Sequence, residues 1–487
     1  MKDPHKNERD IIQSLARRAF LKKGSVGIGA AALADMLAGN ALAQSMAQQD
    51  LGVLGATHHA PKAKRVIYLH MFGAISHVDT FDYCPMLEEM HGQQTPASIM
   101  GEGRLSTMVQ GQTQFPLVRN LAPFKQRGES GAWVSDFWPH VGEIADELCI
   151  INSMYTEHVN HNPAAQFLQT GFQLVGRPSM GSWLSYGLGS DNHNLPSFIV
   201  LNNMGPGQGQ NMDSANFGSG FLPSHFQGVQ FMKGEQPVHY IDIPEGMNLQ
   251  DQGEDIDAIN ALAMAQYEHS GDDEILSKIS SYEMAYRMQT SVPEATSIED
   301  EPDFVLDMYG PEVHNPNSFA RQCLLARRLA ERNVKFVQLF YNGWDFHFSI
   351  GANQPVMAKT ADQPIAGLIM DLKHRGLLED TLVVFTSEFG RTPYSQGDIN
   401  NPIFGRDHHP YAFTSWLAGA GIKAGMTYGK TDEFGYNVVE NPVHVHDFNA
   451  TLLHLMGIDH ERLTYFFQGR DFRLTDVHGK IVRDILS

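Results

Sequence analysis

The sequence predicts an α/β fold: a mostly parallel central sheet with helices on both faces, plus a helical insertion. Two observations carry this expectation. Short apolar runs alternate with segments of helical periodicity, a rhythm that implies crossover connections and a parallel sheet. The 487 residues are 42% hydrophobic and 18% charged, ordinary usage for a chain with a sizeable core.

The elements follow in order. Residues 1–43 include SLARRAFLKKGSVGIGAAALADMLAGNALA. Here Arg17-Arg18 precedes a weakly hydrophobic Gly/Ala stretch that ends in the small-x-small site Ala41-Leu42-Ala43. These features predict a twin-arginine signal peptide and a periplasmic or envelope location, with the twin-arginine translocase as export partner. The stretch is too short and glycine-rich to span a membrane, and no other apolar run is long enough to do so. Residues 44–63 are small and polar and read as a linker, with the main domain over 64–487.

Within that domain, strands are expected at 66–71, 148–151, 197–201, 334–340, 382–386 and 411–417. Helices are expected at 317–331, 361–375 and 447–456. Residues 205–310 break the rhythm, opening Gly/Asn-rich and turning helical and acidic, which suggests an insertion or cap.

The charge balance, 35 Lys+Arg against 55 Asp+Glu, argues against nucleic acid or an anionic membrane as partner. Cys84, Cys149 and Cys323 are widely spaced. They predict buried free thiols rather than a disulfide framework or a thiolate metal site.

Ligands of parallel sheets bind beyond the carboxyl ends of the strands, so the polar residues there matter most. After the first strand come Ser76-His77-Val78-Asp79. The strand at 334–340 is followed by Asp345-Phe346-His347, and that at 382–386 by Ser387-Glu388-Phe389-Gly390-Arg391. A glycine-led loop then supplies Arg406-Asp407-His408-His409. Carboxylate oxygen with imidazole nitrogen suits zinc, manganese or iron, and a DxH pair puts both side chains on one side of an extended segment. His158 and His161 follow a strand and face the same edge, whereas His444 and His446 read as ordinary surface or satisfied histidines.

The series GAISHVDTFD, QFLQTG, RPSMGSWLSYGLG, GWDFH, TLVVFTSEFGRTP, GRDHHPYAFTSWLAGAGIKAG and HDFNATLLHLMGID resembles a family of twin-arginine-exported, sulfatase-like bacterial proteins, domain of unknown function 1501. The wider resemblance is to the alkaline phosphatase superfamily, sulfatases included. It implies one metal held by Asp345, His347 and His408. It also implies that Glu388 with Asp79 holds a second ion or completes the first site, so one or two ions of zinc, manganese or iron. Arg406 or Arg391 would bind the non-bridging oxygens of a small-molecule or polymer ester. His161 stands where sulfatases carry Cys or Ser, and Ala165 where they carry Arg, so no formylglycine can form. Phe389 replaces the second metal-binding His of the phosphatase pattern. His161 is then a candidate for direct attack on phosphorus, and a metal-bound water is the more economical nucleophile. The reading is a metal-dependent ester hydrolase. The alternative is a non-catalytic binding or assembly protein with a degenerate site. A third reading, a structural partner of another exported protein, has no sequence feature for or against it.

Overall fold

The computed structural model describes residues 52–487 apart from 102–105, 239–240 and 244–245. The expected signal peptide and the first part of the linker lie outside the described residues. From residue 52 onward the segment read as linker is docked: Val53 and Leu54 N–H groups donate to Tyr186 and Gly187, and Lys62 and Ala63 both donate to the Leu455 carbonyl.

A nine-stranded sheet forms the centre. Its strands are β1 (Arg65–His70), β2 (Leu148–Tyr155), β3 (Phe198–Gln208), β4 (Val229–Phe231), β5 (Phe336–Trp344), β6 (Thr381–Thr386), β7 (Phe413–Gly419), β8 (Met426–Tyr428) and β9 (Val443–His444). The order is β8-β2-β7-β6-β1-β5-β3-β4, with β9 also on β2. Every pairing is parallel except those of β7, which runs opposite to β6 and β2. A mostly parallel sheet is therefore the observed fold, and β7 is its one reversed strand.

The central strands are apolar along their whole length because both faces are covered. In β1, Ile67 and Leu69 join one core cluster and Val66 and Tyr68 the other. This is the two-residue alternation of an extended chain. The first core packs against α5 (Phe319–Glu331) and α6 (Ile350–His374). The second packs against α1 (His161–Thr170), α2 (Met180–Leu188) and α7 (Val445–Leu455). Ser318 caps α5 by accepting from the Arg321 N–H. Helix α1 ends at Gly171, whose φ of 67° is left-handed and whose Cβ would collide with the Leu474 carbonyl oxygen, so glycine is required.

Helix α6 starts eleven residues before the expected 361, carrying Pro355 and Pro364 inside it. Part of the segment read as an insertion belongs to the sheet: β3 runs to Gln208, and β4 pairs with β3 in parallel. The remainder includes a hairpin of two long helices, α3 (Leu249–Ser270) and α4 (Asp273–Thr296). All three cysteines are buried and unpaired. No helix among the described residues is long and apolar enough to cross a membrane.

Candidate metal centre

Four segments meet at the carboxyl edge of the sheet. Asp345 and His347 follow β5, and Glu388 and Arg391 follow β6. His161 opens α1 just beyond β2. His408 precedes β7, and because β7 is reversed its amino end lies at this same edge. A two-residue ribbon then pairs His408 with Arg391 and His409 with Gly390.

His161, Asp345, His347 and His408 each offer a donor atom, and all four atoms lie within 4.8 Å of one another. Asp345 Oδ1 is 3.0 Å from His347 Nε2, 3.1 Å from His161 Nε2 and 3.4 Å from His408 Nε2. Three of the four are over nine-tenths buried and His347 nearly so.

The proton positions follow from the outer partners. His161 Nδ1 donates to Glu388 Oε1 at 2.6 Å, His347 Nδ1 to Gln396 Oε1 at 2.6 Å, and His408 Nδ1 to the Val159 carbonyl at 2.5 Å. Each acceptor can only accept, so each neutral imidazole carries its hydrogen on Nδ1 and a lone pair on Nε2. The His347 and His408 Nε2 atoms nevertheless face one another at 2.9 Å. His161 Nε2 is buried and has no hydrogen-bond partner. Two opposed lone pairs and an orphaned third, beside a carboxylate, form an arrangement that a cation satisfies and water-free protein does not. Tetrahedral zinc ligands at about 2.1 Å from the ion stand about 3.4 Å apart, close to the spacings seen here.

Charge points the same way. Burial pushes the Asp345 carboxyl up, but Arg391 and the three imidazoles outweigh it and hold the pKa far below the carboxylate range. Glu388 is fully buried, yet His161 and His70 hold it down to about 2. Burial depresses His408 to about 3, so its ring is neutral. His161 is raised on balance, since the Asp345 and Glu388 carboxylates outweigh its burial. Two carboxylates against the single guanidinium of Arg391 leave a net negative charge in the interior once the imidazoles are neutral, which a divalent ion offsets.

The structure thus brings together Asp345, His347 and His408, and adds His161 as a fourth donor. Asp79 is directed elsewhere: its carboxylate forms a buried pair with Arg406, at 2.8 Å from Nε and 3.0 Å from Nη2. Arg406 also donates to the carbonyls of Thr392, Val118 and Arg119 and is fully buried, so it is not presented to an ester. Arg391 donates to Asp345 at 2.5 Å and to the carbonyls of Gly73, Ala74 and Arg406, and is equally committed. Glu388 lies behind the donors, accepting from His161, from His70 Nε2 at 3.0 Å and from the Gly73 N–H at 2.9 Å. Gly73 has φ 111° and a Cβ there would meet the Asp345 nitrogen at 2.7 Å, so this approach needs glycine.

His158, His444 and His446 line a separate cleft of about 510 Å³ together with His478. His446 is buried rather than at the surface, and His444 Nε2 donates to Glu157 at 2.8 Å.

Several supporting residues escaped the sequence reading. His70 is one, held by Glu388 and by Gln169 Nε2, which donates to His70 Nδ1 at 3.1 Å. Its signal was a titratable residue closing an otherwise apolar run. Gln210 donates to Asp345 Oδ2 at 2.5 Å from the Gly/Asn-rich loop after β3, and nothing local marks it.

Fold and centre together define an α/β protein with a three-histidine, one-aspartate donor cluster at the carboxyl edge of its sheet. Residues 63–486 match the family described as Protein of unknown function (DUF1501), and the chain belongs to that family. Among curated proteins no sequence matches it. Solved structures similar to it include a sulfatase from Pseudoalteromonas sp., 14% identical with TM-score 0.33, covering 86% of this chain and 70% of that one. Another is a phosphonate monoester hydrolase from Silicibacter pomeroyi, 13% identical with TM-score 0.32, covering 69% and 72% respectively. A third is an alkaline phosphatase from the Antarctic bacterium TAB5, 11% identical with TM-score 0.30, covering 77% and 96%. Superpositions this loose leave the chemistry to the residues of the site itself.

Proposed function

We propose that this chain is a metal-dependent hydrolase of a phosphate, sulfate or related ester, working in the periplasm or envelope after twin-arginine export. One observation carries the reading: three imidazoles, each fixed through Nδ1, turn their Nε2 lone pairs onto Asp345 at the ligand-binding edge of the sheet. One divalent ion fits. Glu388 and Asp79, the remaining candidates for a second, are bound to His161 and His70 and to Arg406. Three nitrogens and one oxygen favour zinc, with manganese and iron as the other suitable ions.

A bound ion supplies Lewis-acid charge at the ester oxygens and a water of lowered pKa, so no side-chain nucleophile is required. The rest belongs to the chain. Glu388, braced by His70 and the Gly73 N–H, keeps the His161 proton on Nδ1 and the ring in place. Arg391 and Gln210 fix the two oxygens of Asp345. Phe389 packs on both His161 and His408, with ring centroids 5.0 and 4.7 Å away, and excludes water from that side. His161 is a ligand in this scheme, not a nucleophile: Glu388 holds its Nδ1, and its free Nε2 faces the other donors, where an ion would sit.

The burial of all four donors favours a second reading, a binding or assembly protein whose ion is structural, since closed four-ligand sites are typically structural. Elemental analysis of protein purified without chelators is expected to give about one equivalent of zinc, manganese or iron, and far less in His347→Ala. Full occupancy in that variant removes His347 from the ligand set. Metal-dependent turnover of phosphate or sulfate esters supports the hydrolase, and an intact metal with no turnover on any ester supports the structural reading. Absence of metal, with no uptake on addition, overturns the hydrolase and the structural ion alike and leaves a binding fold with a degenerate site.

A further inference from the structure

Among the described residues, the large apolar side chains more than 60% exposed are Leu174, Val175, Phe304, Phe466 and Val477. Single exposed apolar residues are ordinary, so it is their distribution that matters. Phe304 stands apart on a short helix, Asp303–Tyr309. The other four lie on three turns that are tied together. Leu174 and Val175 precede Gly176, whose φ is 111°, in the turn between α1 and α2. Phe466 lies beside the tip of a hairpin, Tyr465–Phe467 paired with Arg470–Phe472, whose turn residues Gln468 and Gly469 both have positive φ. Val477 follows Asp476, itself left-handed at φ 50°. The Arg177 guanidinium lies 3.8 Å over the Phe172 ring and 5.3 Å over that of Phe472, and pairs with Asp476 at 3.1 Å. Arg470 covers Phe472 at 4.0 Å and pairs with the same Asp476. Phe172 and Gln173 line the histidine-rich cleft, as do Asp476 and His478, so Leu174, Val175 and Val477 border one mouth.

We propose that these turns dock the protein on a zwitterionic lipid bilayer. Apolar side chains carried singly on turn tips offer little flat area to another folded protein. Each can nevertheless enter the boundary between lipid head groups and acyl chains on its own. The ion pairs and ring contacts beneath hold the turns in place, so insertion meets little ordering cost. The exposed charged groups around the tips are Arg470 and Lys480 on one side of the ledger of sign, Asp471 and Glu157 on the other. That mixture suits the phosphate and the ammonium of a zwitterionic head group. The net charge of −20 repels an anionic bilayer and also a second copy of the chain, which leaves the neutral lipid surface as the occupant. Docking here uses no residue of the metal centre and stands whether that cluster is catalytic or structural.

The test is co-sedimentation of the full chain with vesicles of phosphatidylcholine and phosphatidylethanolamine, and with the same vesicles containing added phosphatidylglycerol. Wild type is expected to bind the zwitterionic vesicles, and to bind less at low salt once phosphatidylglycerol is present. Leu174→Ser and Val477→Ser are each expected to lower partitioning about tenfold, the size of burying one aliphatic side chain. Phe304→Ser, outside the cluster, is expected to leave it unchanged. All three side chains are exposed, so the variants should keep the wild-type circular dichroism. No binding by wild type, binding that both the Leu174→Ser and Val477→Ser variants retain in full, or tighter binding to the anionic vesicles each overturns the proposal. Association of wild type without lipid in light scattering, abolished in Leu174→Ser, makes the turns a protein interface and overturns it as well.

Discussion

Replacing Arg406 by Met tests whether this residue braces the interior or serves a substrate. Both Arg406 and Asp79 are fully buried, and the guanidinium reaches both carboxylate oxygens. Methionine removes the cation and leaves the Asp79 charge in low dielectric with two donors, the Ser76 hydroxyl at 2.6 Å and the Leu121 N–H at 2.9 Å. It also orphans the carbonyls of Thr392, Val118 and Arg119. Breaking one side of a buried pair costs about 3–5 kcal/mol, a factor of roughly 10² to 10⁴ in the unfolding constant. Removing both charges, as Asp79→Asn with Arg406→Met, should cost less than the single Arg406→Met change, because no unpaired charge remains. Urea unfolding followed by tryptophan fluorescence reads this directly, since Trp138, Trp183, Trp344 and Trp416 are all fully buried. A loss under about 1 kcal/mol in Arg406→Met, below the range for buried pairs, together with weakened ester binding, would refute the assignment and return Arg406 to the substrate site.

Glu388→Gln should weaken metal binding about 10- to 100-fold, as loss of an outer-shell partner does; an unchanged affinity in a chelator competition would show that His161 is oriented by something else. Zinc added at about 100 times its dissociation constant should stabilise stripped protein by about 2.7 kcal/mol, and the effect should vanish in His408→Ala. Burial, with help from Asp432, raises the Asp82 carboxyl from 3.8 to about 7 against the opposing Thr431 hydroxyl. The folded chain therefore holds that proton where the unfolded chain has lost it, so this group's contribution to stability is full below pH 3.8 and falls as pH rises to about 7. Asp82→Asn should remove that slope, with a gain near zero at pH 4 and up to roughly 4 kcal/mol at pH 8; an equal gain at both would exclude Asp82 as its source.

The sheet was legible because its strands are buried on both faces, which makes them apolar runs with little else to be. Helix α6 was read too short at its amino end: the expected 361–375 already held Pro364, and the structure extends it back past Pro355 to Ile350. Asp345 and His347 stood out because they follow a strand of a parallel sheet, His408 because a glycine-led loop carries it, and the grouping of the three came from the family resemblance. Partnership could not be read: Asp79 and Arg406 are 327 residues apart, and His70 and Glu388 are 318 apart. No local pattern says which distant charge a buried carboxylate will meet. Asp79 and Glu388 therefore looked like ligands, although one neutralises an arginine and the other orients a histidine.

The reversed strand β7 has a consequence for the order of events in the life of the chain. It carries His408 to the edge where the other three donors already stand, and His408 is 61 residues beyond His347. A nascent chain that has not yet passed residue 408 lacks the fourth donor, and one in which β7 has not slotted between β6 and β2 holds it out of reach. An ion bound here would be acquired late, by a nearly finished molecule, and would then clasp long stretches of backbone together. Loading of an ion and completion of the fold would then be a single step.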